Sequence, residues 1–252
     1  FNDTVNAASV STNVGGSVAI NGGSVTTTGV QNYGEVVTMS QATTLTASVV
    51  TFGDAVTGTS SLSVVGATVM NGGSITTVGN QTYNGAVTLG VNTTLEAGAG
   101  NVKFDSTVDT LASATQGVAT VAKSLTVSTS GATTFNGAVG LATDGALSSL
   151  TTTAATGATA GAVTFNEGHV TTTGNQSYGG AVLLGADTTL NAGTANVTFD
   201  GTVDTLASTN INVPTVAKSL TVSTAGATTF NGAVGLATDG ALSSLTTTAA
   251  TG

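Results

Sequence analysis

The chain offers few side chains that could carry out chemistry, and its single histidine is the first of them. His169 lies in FNEGHVTTTG, whereas the corresponding positions of two related segments hold Ser24 in INGGSV and Ser74 in MNGGSI. A general base shared by these segments is therefore not indicated, and we expect His169 to be an exposed polar residue at a strand edge. With no Cys and one His, the chain lacks the usual ligands of transition metals. We predict no catalytic residue, no cofactor and no enzymatic activity.

Carboxylates form the second group of candidates. Asp105 and Asp109 in FDSTVD match Asp200 and Asp204 in FDGTVD, and two acidic residues at this spacing could contribute oxygen ligands to Ca²⁺. The sequence contains neither an EF-hand loop nor a glycine-rich calcium repeat. We therefore favour solvated turn residues over a calcium site at these four positions. Asp144 and Asp239, each followed by Gly, are typical of turns.

Threonine runs form the third group. TTT occurs at 26–28, 151–153, 171–173 and 246–248, and stacked runs could form a regular face of hydroxyl and methyl groups. Such a face resembles the binding surface of ice-binding solenoids. The simpler interpretation, which we favour, is that Thr suits an exposed strand.

Composition limits the elements that could position these residues. Of 252 residues, 54 are Thr and 35 are Gly, whereas only 15 are charged and the net charge is −9. Three Lys and no Arg leave no basic patch for nucleic acid, and no apolar run is long enough to span a bilayer. About 40% of residues are apolar and fall in alternating runs such as SLTVST, which predicts a strand-rich core and essentially no helix.

Internal repetition organises the whole chain. Residues 79–157 align without a gap to 174–252, an offset of 95, with 63 identities in 79 positions. Within this repeat, GATTFNGAVGLATDGALSSLTTTAATG is identical at 131–157 and 226–252. A shorter offset of 50 relates SVTTTG at 24–29 to SITTVG at 74–79, so shorter units fill residues 1–78. We predict one continuous domain over 1–252.

A smaller motif recurs inside the repeats: a large apolar residue, a turn residue and, a few residues later, Val or Ile. Its leading residues are Phe1, Ile20, Tyr33, Phe52, Met70, Tyr83, Phe104, Phe135, Phe165, Tyr178, Phe199 and Phe230. Their spacings are 19, 13, 19, 18, 13, 21, 31, 30, 13, 21 and 31. A spacing of 18 to 21 fits one turn of a narrow solenoid, and 30 or 31 fits one turn with an insertion.

The sequence therefore predicts an all-β fold, a parallel β-solenoid of stacked repeats. Phe would stack near Phe, and Asn near Asn as amide ladders along the axis. The divergent segments 109–123 and 204–218 are expected to be loops outside the core. The alternative is a pair of immunoglobulin-like sandwiches of about 95 residues each, which the recurrence of the aromatic motif within each unit disfavours.

The strings VTTTGNQSYGGAVLLGADTTL, NVTFDGTVD, SLTVSTAGATTFNGAVG and LSSLTTTAATG resemble the β-strand repeats of filamentous haemagglutinin-type bacterial surface proteins. The resemblance covers essentially the whole chain. It implies a right-handed parallel β-helix that is exported and displayed outside the cell, in adhesion, aggregation or matrix formation. The secretion domain and anchor of that family are not found in this sequence, so export and attachment are implied by the resemblance alone.

Three functions follow as expectations. The first is a structural stalk or fibre of an extracellular bacterial filament, serving adhesion, cell contact or biofilm matrix. Its partner would be another copy stacked end to end, or further repeats of a longer chain. The second is an adhesin module that binds a glycan or a surface protein through the loops at 109–123 and 204–218. The third is an ice-binding solenoid with a Thr-rich face.

Overall fold

Short alternating runs of Val, Leu and Thr between Gly, Asn and Asp turns fold into stacked strands rather than helices. The computed structural model describes residues 1–115, 118–142, 144–210 and 212–250. These residues form a parallel β-solenoid of about 11 turns, and they contain no helix. The predicted fold class is thereby confirmed. Every strand pairing is parallel, which excludes the antiparallel sandwich.

Three faces enclose the core, and most turns contribute one strand to each face in the order first, second, third. In two turns an isolated bridge, at Val139 on the second face and at Val234 on the first, takes the place of a strand. The strands of the first face are β1 (Val5–Ala7), β4 (Ser24–Thr27), β11 (Gln81–Tyr83), β14 (Val102–Phe104), β17 (Thr133–Phe135), β19 (Val163–Phe165), β22 (Val182–Leu184) and β25 (Val203–Thr205). Those of the second face are β2 (Val10–Thr12), β5 (Gln31–Tyr33), β12 (Val87–Leu89), β15 (Val108–Thr110), β20 (His169–Thr171), β23 (Thr188–Gly193), β26 (Ser219–Thr224) and β28 (Ser244–Thr248). Those of the third face are β3 (Ser17–Ile20), β6 (Val36–Met39), β8 (Val56–Gly58), β10 (Ser74–Thr77), β13 (Thr93–Gly98), β16 (Ser124–Thr129), β18 (Ser149–Thr153), β21 (Gln176–Tyr178), β24 (Val197–Phe199) and β27 (Thr228–Phe230).

Two long strands cross the corner between the first and second faces. They are β7 (Thr43–Phe52) and β9 (Leu62–Met70), and their pairing shifts register at that corner, between Thr46 and Val49. Because these strands belong to both faces, the first face and the early second face form one 14-stranded sheet. The third face is a separate ten-stranded sheet, and β20, β23, β26 and β28 form a sheet of four.

The core consists of inward rows of side chains that repeat from turn to turn. On the third face, Val18, Val37, Val56, Ile75 and Leu95 pair successively in register. Burying apolar surface contributes roughly 25 cal/mol per Å², and no single turn could enclose these side chains. Stability therefore depends on contact between neighbouring turns.

Aromatic residues stack along the axis, as the sequence predicted. Phe104, Phe135 and Phe165 follow Tyr83 on the first face, with ring centroids 5.0 to 5.5 Å apart. On the third face Tyr178, Phe199 and Phe230 repeat the arrangement at 5.3 and 4.8 Å. The two stacks meet at an edge-on contact between Phe165 and Tyr178.

The shortest spacing between aromatic motifs is 13 residues, and the sequence alone did not explain it. In the structure it marks a change of face. From Tyr83 the first-face row runs through Phe104 and Phe135 to Phe165, three whole turns later. The chain then crosses the second face and reaches Tyr178 on the third. The long repeat thus spans three and two-thirds turns. Equivalent residues of successive copies consequently lie on different faces.

The shorter repeat, which relates SVTTTG at 24–29 to SITTVG at 74–79, behaves in the same way. The row Tyr33, Phe52 and Met70 lies on the second face and is two whole turns long. The chain then crosses the third face and reaches Tyr83 on the first. Copies of one sequence unit thus occupy the second, first and third faces in succession. Each copy is turned by one face relative to the one before it.

Two buried hydroxyls, those of Thr68 and Thr152, lack a hydrogen-bond partner among the described residues, and the second provides a stability test. Thr152 lies in the inward third-face row between Val127 and Tyr178, and its Oγ1 is buried without a hydrogen bond among the described residues. Replacing Thr152 by Val should raise the free energy of unfolding by about 1 kcal/mol, because an unsatisfied polar group is removed. Thermal unfolding followed by circular dichroism measures the change.

Thr77→Val is the matched control, because the Thr77 hydroxyl forms hydrogen bonds that the same exchange would remove. Thr77 Oγ1 donates to Gly79 O at 2.7 Å and accepts from Gln81 Nε2 at 3.1 Å. We expect a loss of about 1 to 2 kcal/mol at this position. A gain at Thr77, or a loss at Thr152, would contradict the hydrogen-bond assignment.

Candidate functional site

The most elaborate polar arrangement is a buried cluster that occurs three times, once on each face. In the first-face cluster Gln81 Nε2 donates to the carbonyls of Ile75 and Glu96 at 3.2 and 2.9 Å and to Thr77 Oγ1. Tyr83 OH donates to Gln81 Oε1 at 2.9 Å. The same side chains recur in the clusters of Gln31 with Tyr33 and Gln176 with Tyr178. We call these the Gln–Tyr clusters.

The Gln–Tyr clusters were missed by the sequence analysis, although a signal exists. T-x-G-x-Q-x-Y occurs at 27–33, 77–83 and 172–178. The Thr hydroxyl bonds to the carbonyl of the Gly two residues on, which turns the chain at the corner and aims the Gln amide inward. All members are neutral and buried, so the clusters hold corners together and contain no nucleophile or base that a substrate could reach.

The tyrosines of these clusters provide a pH prediction. Burial raises the pKa of Tyr33, Tyr83 and Tyr178, the only tyrosines in the chain, well above the usual value of about 10. Because the folded state disfavours the phenolate, the contribution of these tyrosines to stability should be constant below pH about 10 and be lost as the pH rises further. Ultraviolet titration should show phenolate appearing together with loss of the β-sheet circular dichroism signal. Gradual ionisation of a folded chain would contradict this account.

Asn and Asp side chains form ladders along the axis, as predicted. On the first face Asn166 Nδ2 donates to Asn136 Oδ1, and Asn136 Nδ2 donates to Asp105 Oδ1, both at 2.6 Å. Asn84 Nδ2 donates to Asp105 Oδ2 at 3.2 Å. In the second copy Asn231 Nδ2 donates to Asp200 Oδ1 at 2.8 Å. Two of the four calcium candidates, Asp105 and Asp200, thus act as acceptors between neighbouring turns.

Asp105 differs from Asp200 in having a cation beside it. Lys103 Nζ lies 2.7 Å from Asp105 Oδ1, and this hydrogen bond, followed by that from Asn136, lowers the pKa of Asp105 below its usual value. In the second copy Thr198 takes the place of Lys103. The Lys103→Thr variant should therefore raise the pKa of Asp105 toward its usual value.

Carboxyl titration by nuclear magnetic resonance, comparing Asp105 in the variant with Asp105 in the unaltered chain, measures this effect. Since the folded-state pKa of Asp105 is lowered, its contribution to stability is present at neutral pH and is lost as the pH falls through that pKa. In Lys103→Thr, the dependence of stability on pH in this range should be weaker. An unchanged Asp105 titration would show that the ion pair does not persist in solution.

The other two calcium candidates are buried and support the neighbouring turn. Asp109 Oδ1 accepts from Ala142 N at 3.0 Å, and Asp204 Oδ1 accepts from Ala237 N at 3.1 Å. Asp144 and Asp239 have φ of 59° and 60°, the left-handed conformation expected of turn residues before Gly. Thr143, within the first of these turns, lies outside the described residues. Among the residues that are described, no three His, Cys, Asp or Glu side chains converge as metal ligands would.

His169 begins strand β20 on the second face and is half-exposed. Its Nδ1 lies 3.0 Å from Glu167 Oε1, two residues earlier in the chain. Its register partner is Thr189. His169 is therefore an outward residue with a local carboxylate partner, and the described contacts include no nucleophile.

The threonine runs do not stack on one face, contrary to the expectation of a face built from them. Run 26–28 lies on the first face, 151–153 on the third, and 171–173 and 246–248 on the second. The middle residues Thr27, Thr152 and Thr172 point into the core. The cause is the same turn by one face per copy, which separates identical sequences around the solenoid.

The divergent segments are loops outside the core from residue 111 and from residue 206 onward, as predicted, whereas 109–110 and 204–205, which were predicted as part of these loops, end buried strands. Both loops have the same internal bonds. Ser113 N donates to Thr120 Oγ1 at 3.0 Å, and Ser208 N donates to Thr215 Oγ1 at 2.9 Å. The loop at 109–123 joins the second face to the third, whereas that at 204–218 joins the first to the second. The two loops therefore project from different corners. Residues 116–117 and 211, within these loops, are not among those described.

A shallow depression lies beside the second loop. Ser208, Asn210, Pro214 and Thr215 line it together with Asp239 of the adjoining turn. Its polar groups are hydroxyls, an amide and one carboxylate, so it offers hydrogen bonds to a neutral ligand rather than a charged binding site. No catalytic pair is present among these lining residues.

The geometry places the chain in the class of parallel β-solenoids. In this chain most of the conspicuous polar side chains form hydrogen bonds between neighbouring turns. No family model, curated protein or solved structure that was compared with the chain matches it. Among the described residues there is also no helix of the length and apolarity that crossing a bilayer requires.

Proposed function

We propose that the chain is a structural, non-enzymatic rod within a secreted bacterial surface protein, serving as a stalk or fibre in adhesion, cell contact or biofilm matrix. The observation that supports this proposal is the placement of one sequence unit on all three faces. A unit that is repeated around the axis lengthens the rod, but it does not build a larger shared site. The resemblance to filamentous haemagglutinin-type repeats provides the extracellular setting.

The internal use of polar groups supports the same proposal. Buried amides close corners in the Gln–Tyr clusters, and the conspicuous carboxylates either accept bonds along ladders or hold turns. A hydrolase or lyase of this fold would need accessible acids and bases grouped in a groove. Here these groups are distributed over the length of the rod and are already hydrogen-bonded.

Part of this proposal is that the partner of the rod is a second copy stacked end to end, or further repeats of a longer chain. The parallel pairing supports it, because each turn pairs its backbone with the next turn in the same way, so that a further turn can be added without a change of geometry.

Rod length tests the structural proposal. With turns about 4.8 Å apart, one long repeat of three and two-thirds turns should add about 18 Å. Inserting a second copy of residues 79–173 after Thr173 should lengthen the particle by that amount in electron micrographs, and deleting 79–173 should shorten it equally. A change in width instead of length would contradict a rod.

Surface display is tested separately, in cells that produce the protein. Antibody labelling and protease treatment of intact cells should both reach the chain if it is extracellular. Signal only after lysis would remove the adhesion and matrix roles. It would leave the rod geometry intact.

A second candidate, binding through the two loops, is favoured by where the copies differ. Five of the six positions in 114–119 differ from 209–214, whereas 11 differ among the other 73 aligned positions. Such variation on a constant frame is how loops acquire ligand specificity. Neutral glycans match the hydroxyl and amide groups of the depression beside the second loop.

A glycan-binding screen of the protein and of Asn210→Ala tests this candidate, with Thr115→Ala in the first loop as the matched control. Binding that is lost only on substitution of Asn210 would place the site at the second loop. Absence of binding would leave the loops as spacers.

A further inference from the structure

An unbroken row of hydroxyl side chains runs along the outside of the third face over seven turns. Each member pairs in register with the next in neighbouring parallel strands. The members of this hydroxyl row are Ser74, Thr94, Thr126, Thr151, Ser177, Thr198 and Thr229. At about 4.8 Å per turn, the row is about 29 Å long.

The corresponding outward row of the first face is interrupted by other residue types. It passes from Thr82 to Lys103, Thr134 and Thr164, and then to Leu183. On the second face the row passes from Thr88 to Asp109, a carboxylate that is buried by the neighbouring turn. Among the described strands, an uninterrupted hydroxyl row of this length is thus found on the third face.

Differences between the copies keep the hydroxyl row free of charge. Thr198 of the row corresponds to Lys103 in the other copy, which lies on the first face. Ser74 of the row corresponds to His169, which lies on the second face. In these two pairs the ionisable side chain lies on another face and the hydroxyl on the third, while Ser24, the equivalent of Ser74 on the first face, is also a hydroxyl residue.

A second row lies two residues further along the same strands. Thr38, Thr57 and Thr76 pair in succession, Glu96 interrupts them, and Ser128 and Thr153 continue. Adjacent rows are separated by about 6.7 Å, twice the rise per residue. The two rows lie side by side on four turns, in β10, β13, β16 and β18, where they form a rectangular array of hydroxyl and methyl groups with one charged defect.

A regular, uncharged array of this length matches a solid with a periodic surface better than a small ligand. One hydroxyl contacts water weakly, but many contacts on one rigid frame act together, since each occurs at high effective concentration. Oxygen atoms on the prism plane of hexagonal ice repeat at distances close to both spacings of the array. We propose that the third face binds ice through the hydroxyl row and its neighbouring row.

Substitutions that place a charge in the array test the proposal. Thr126→Lys and Thr151→Lys do so on the third face, and Thr134→Lys and Thr164→Lys are matched controls at outward positions of the first face. Inhibition of ice recrystallisation and thermal hysteresis are measured for the purified chain, with circular dichroism and thermal unfolding to verify folding. We expect ice activity to fall about tenfold for the third-face variants and to be unchanged for the controls.

Glu96→Thr provides an independent variant in the opposite direction, because it removes the charged defect. Ice activity should rise severalfold. Absence of ice activity in the unaltered chain would overturn the proposal, and so would equal losses for variants on the first and third faces. A change confined to the sedimentation of the third-face variants would indicate pairing of two copies instead, and would also overturn it. None of these outcomes bears on rod length, so the structural proposal is tested separately.

Discussion

Replacing Phe135 by Ala is expected to lower the free energy of unfolding by about 4 kcal/mol, because a fully buried aromatic ring is lost from a continuous stack. Its ring lies 5.0 Å from Phe104, with 4° between planes, and 5.5 Å from Phe165. Neither neighbour can fill the space, since each is fixed by its own strand pairing. Urea unfolding followed by circular dichroism measures the loss.

Phe230→Ala is the matched control, because Phe230 lies in the second copy of the same identical sequence as Phe135. In the described residues its aromatic neighbour is Phe199, at 4.8 Å, and its ring is only partly buried. We expect a loss of about 2 kcal/mol or less at Phe230. Equal losses at the two positions would show that stacking between turns does not determine stability.

Replacing Gln81 by Leu is expected to cost about 3 kcal/mol, since several buried groups lose their partner at once. The Tyr83 hydroxyl would have no acceptor, and the Glu96 and Ile75 carbonyls would lose the amide donor. The exposed Gln41→Leu exchange should change stability by less than about 0.5 kcal/mol. Thermal and urea unfolding compare the two variants.

Adding Tyr83→Phe to Gln81→Leu separates hydrogen bonding from packing. The double variant should be more stable than Gln81→Leu by about 1 kcal/mol, because the unpaired hydroxyl is removed together with its partner. Losses that simply add would indicate that the two side chains do not interact. The Gln–Tyr cluster would then be a packing feature.

Much of the fold is encoded in signals that a single sequence displays. The alternation of Val and Leu with Thr, the recurrent spacing of 18 to 21 and the turn residues after each aromatic together predict stacked parallel strands. They also predict the aromatic stacks and the ladder from Asn166 to Asp105. These features are local or repeat once per turn, so the period alone places them.

The orientation of the copies could not be predicted in the same way. Identical sequence suggested identical surroundings, yet the face that a residue occupies depends on the number of turns before it. Neither repeat is a whole number of turns: the short repeat, which has no loop insertion, and the long repeat, which has loop insertions, both end two-thirds of the way around. For this reason the threonine runs, whose stacking on one face was the less favoured alternative, lie on different faces, and the T-x-G-x-Q-x-Y corners were not recognised as one motif on three faces.

Disulfide cross-linking tests the turning of successive copies most directly, because the chain has no Cys of its own. Ser177 pairs in register with Thr151 on the third face. Thr82, the equivalent of Ser177 in the first copy, pairs in register with Ser63 of the preceding turn on the first face. If the second copy also lay on the first face, Ser177 would pair in the same way with Thr164 of the preceding turn. Residues paired in parallel strands are close enough for a disulfide, given suitable side-chain geometry. We predict rapid oxidation of the Thr151→Cys, Ser177→Cys pair and none of the Thr164→Cys, Ser177→Cys pair, whereas the reverse pattern would contradict a rod whose repeats turn by one face.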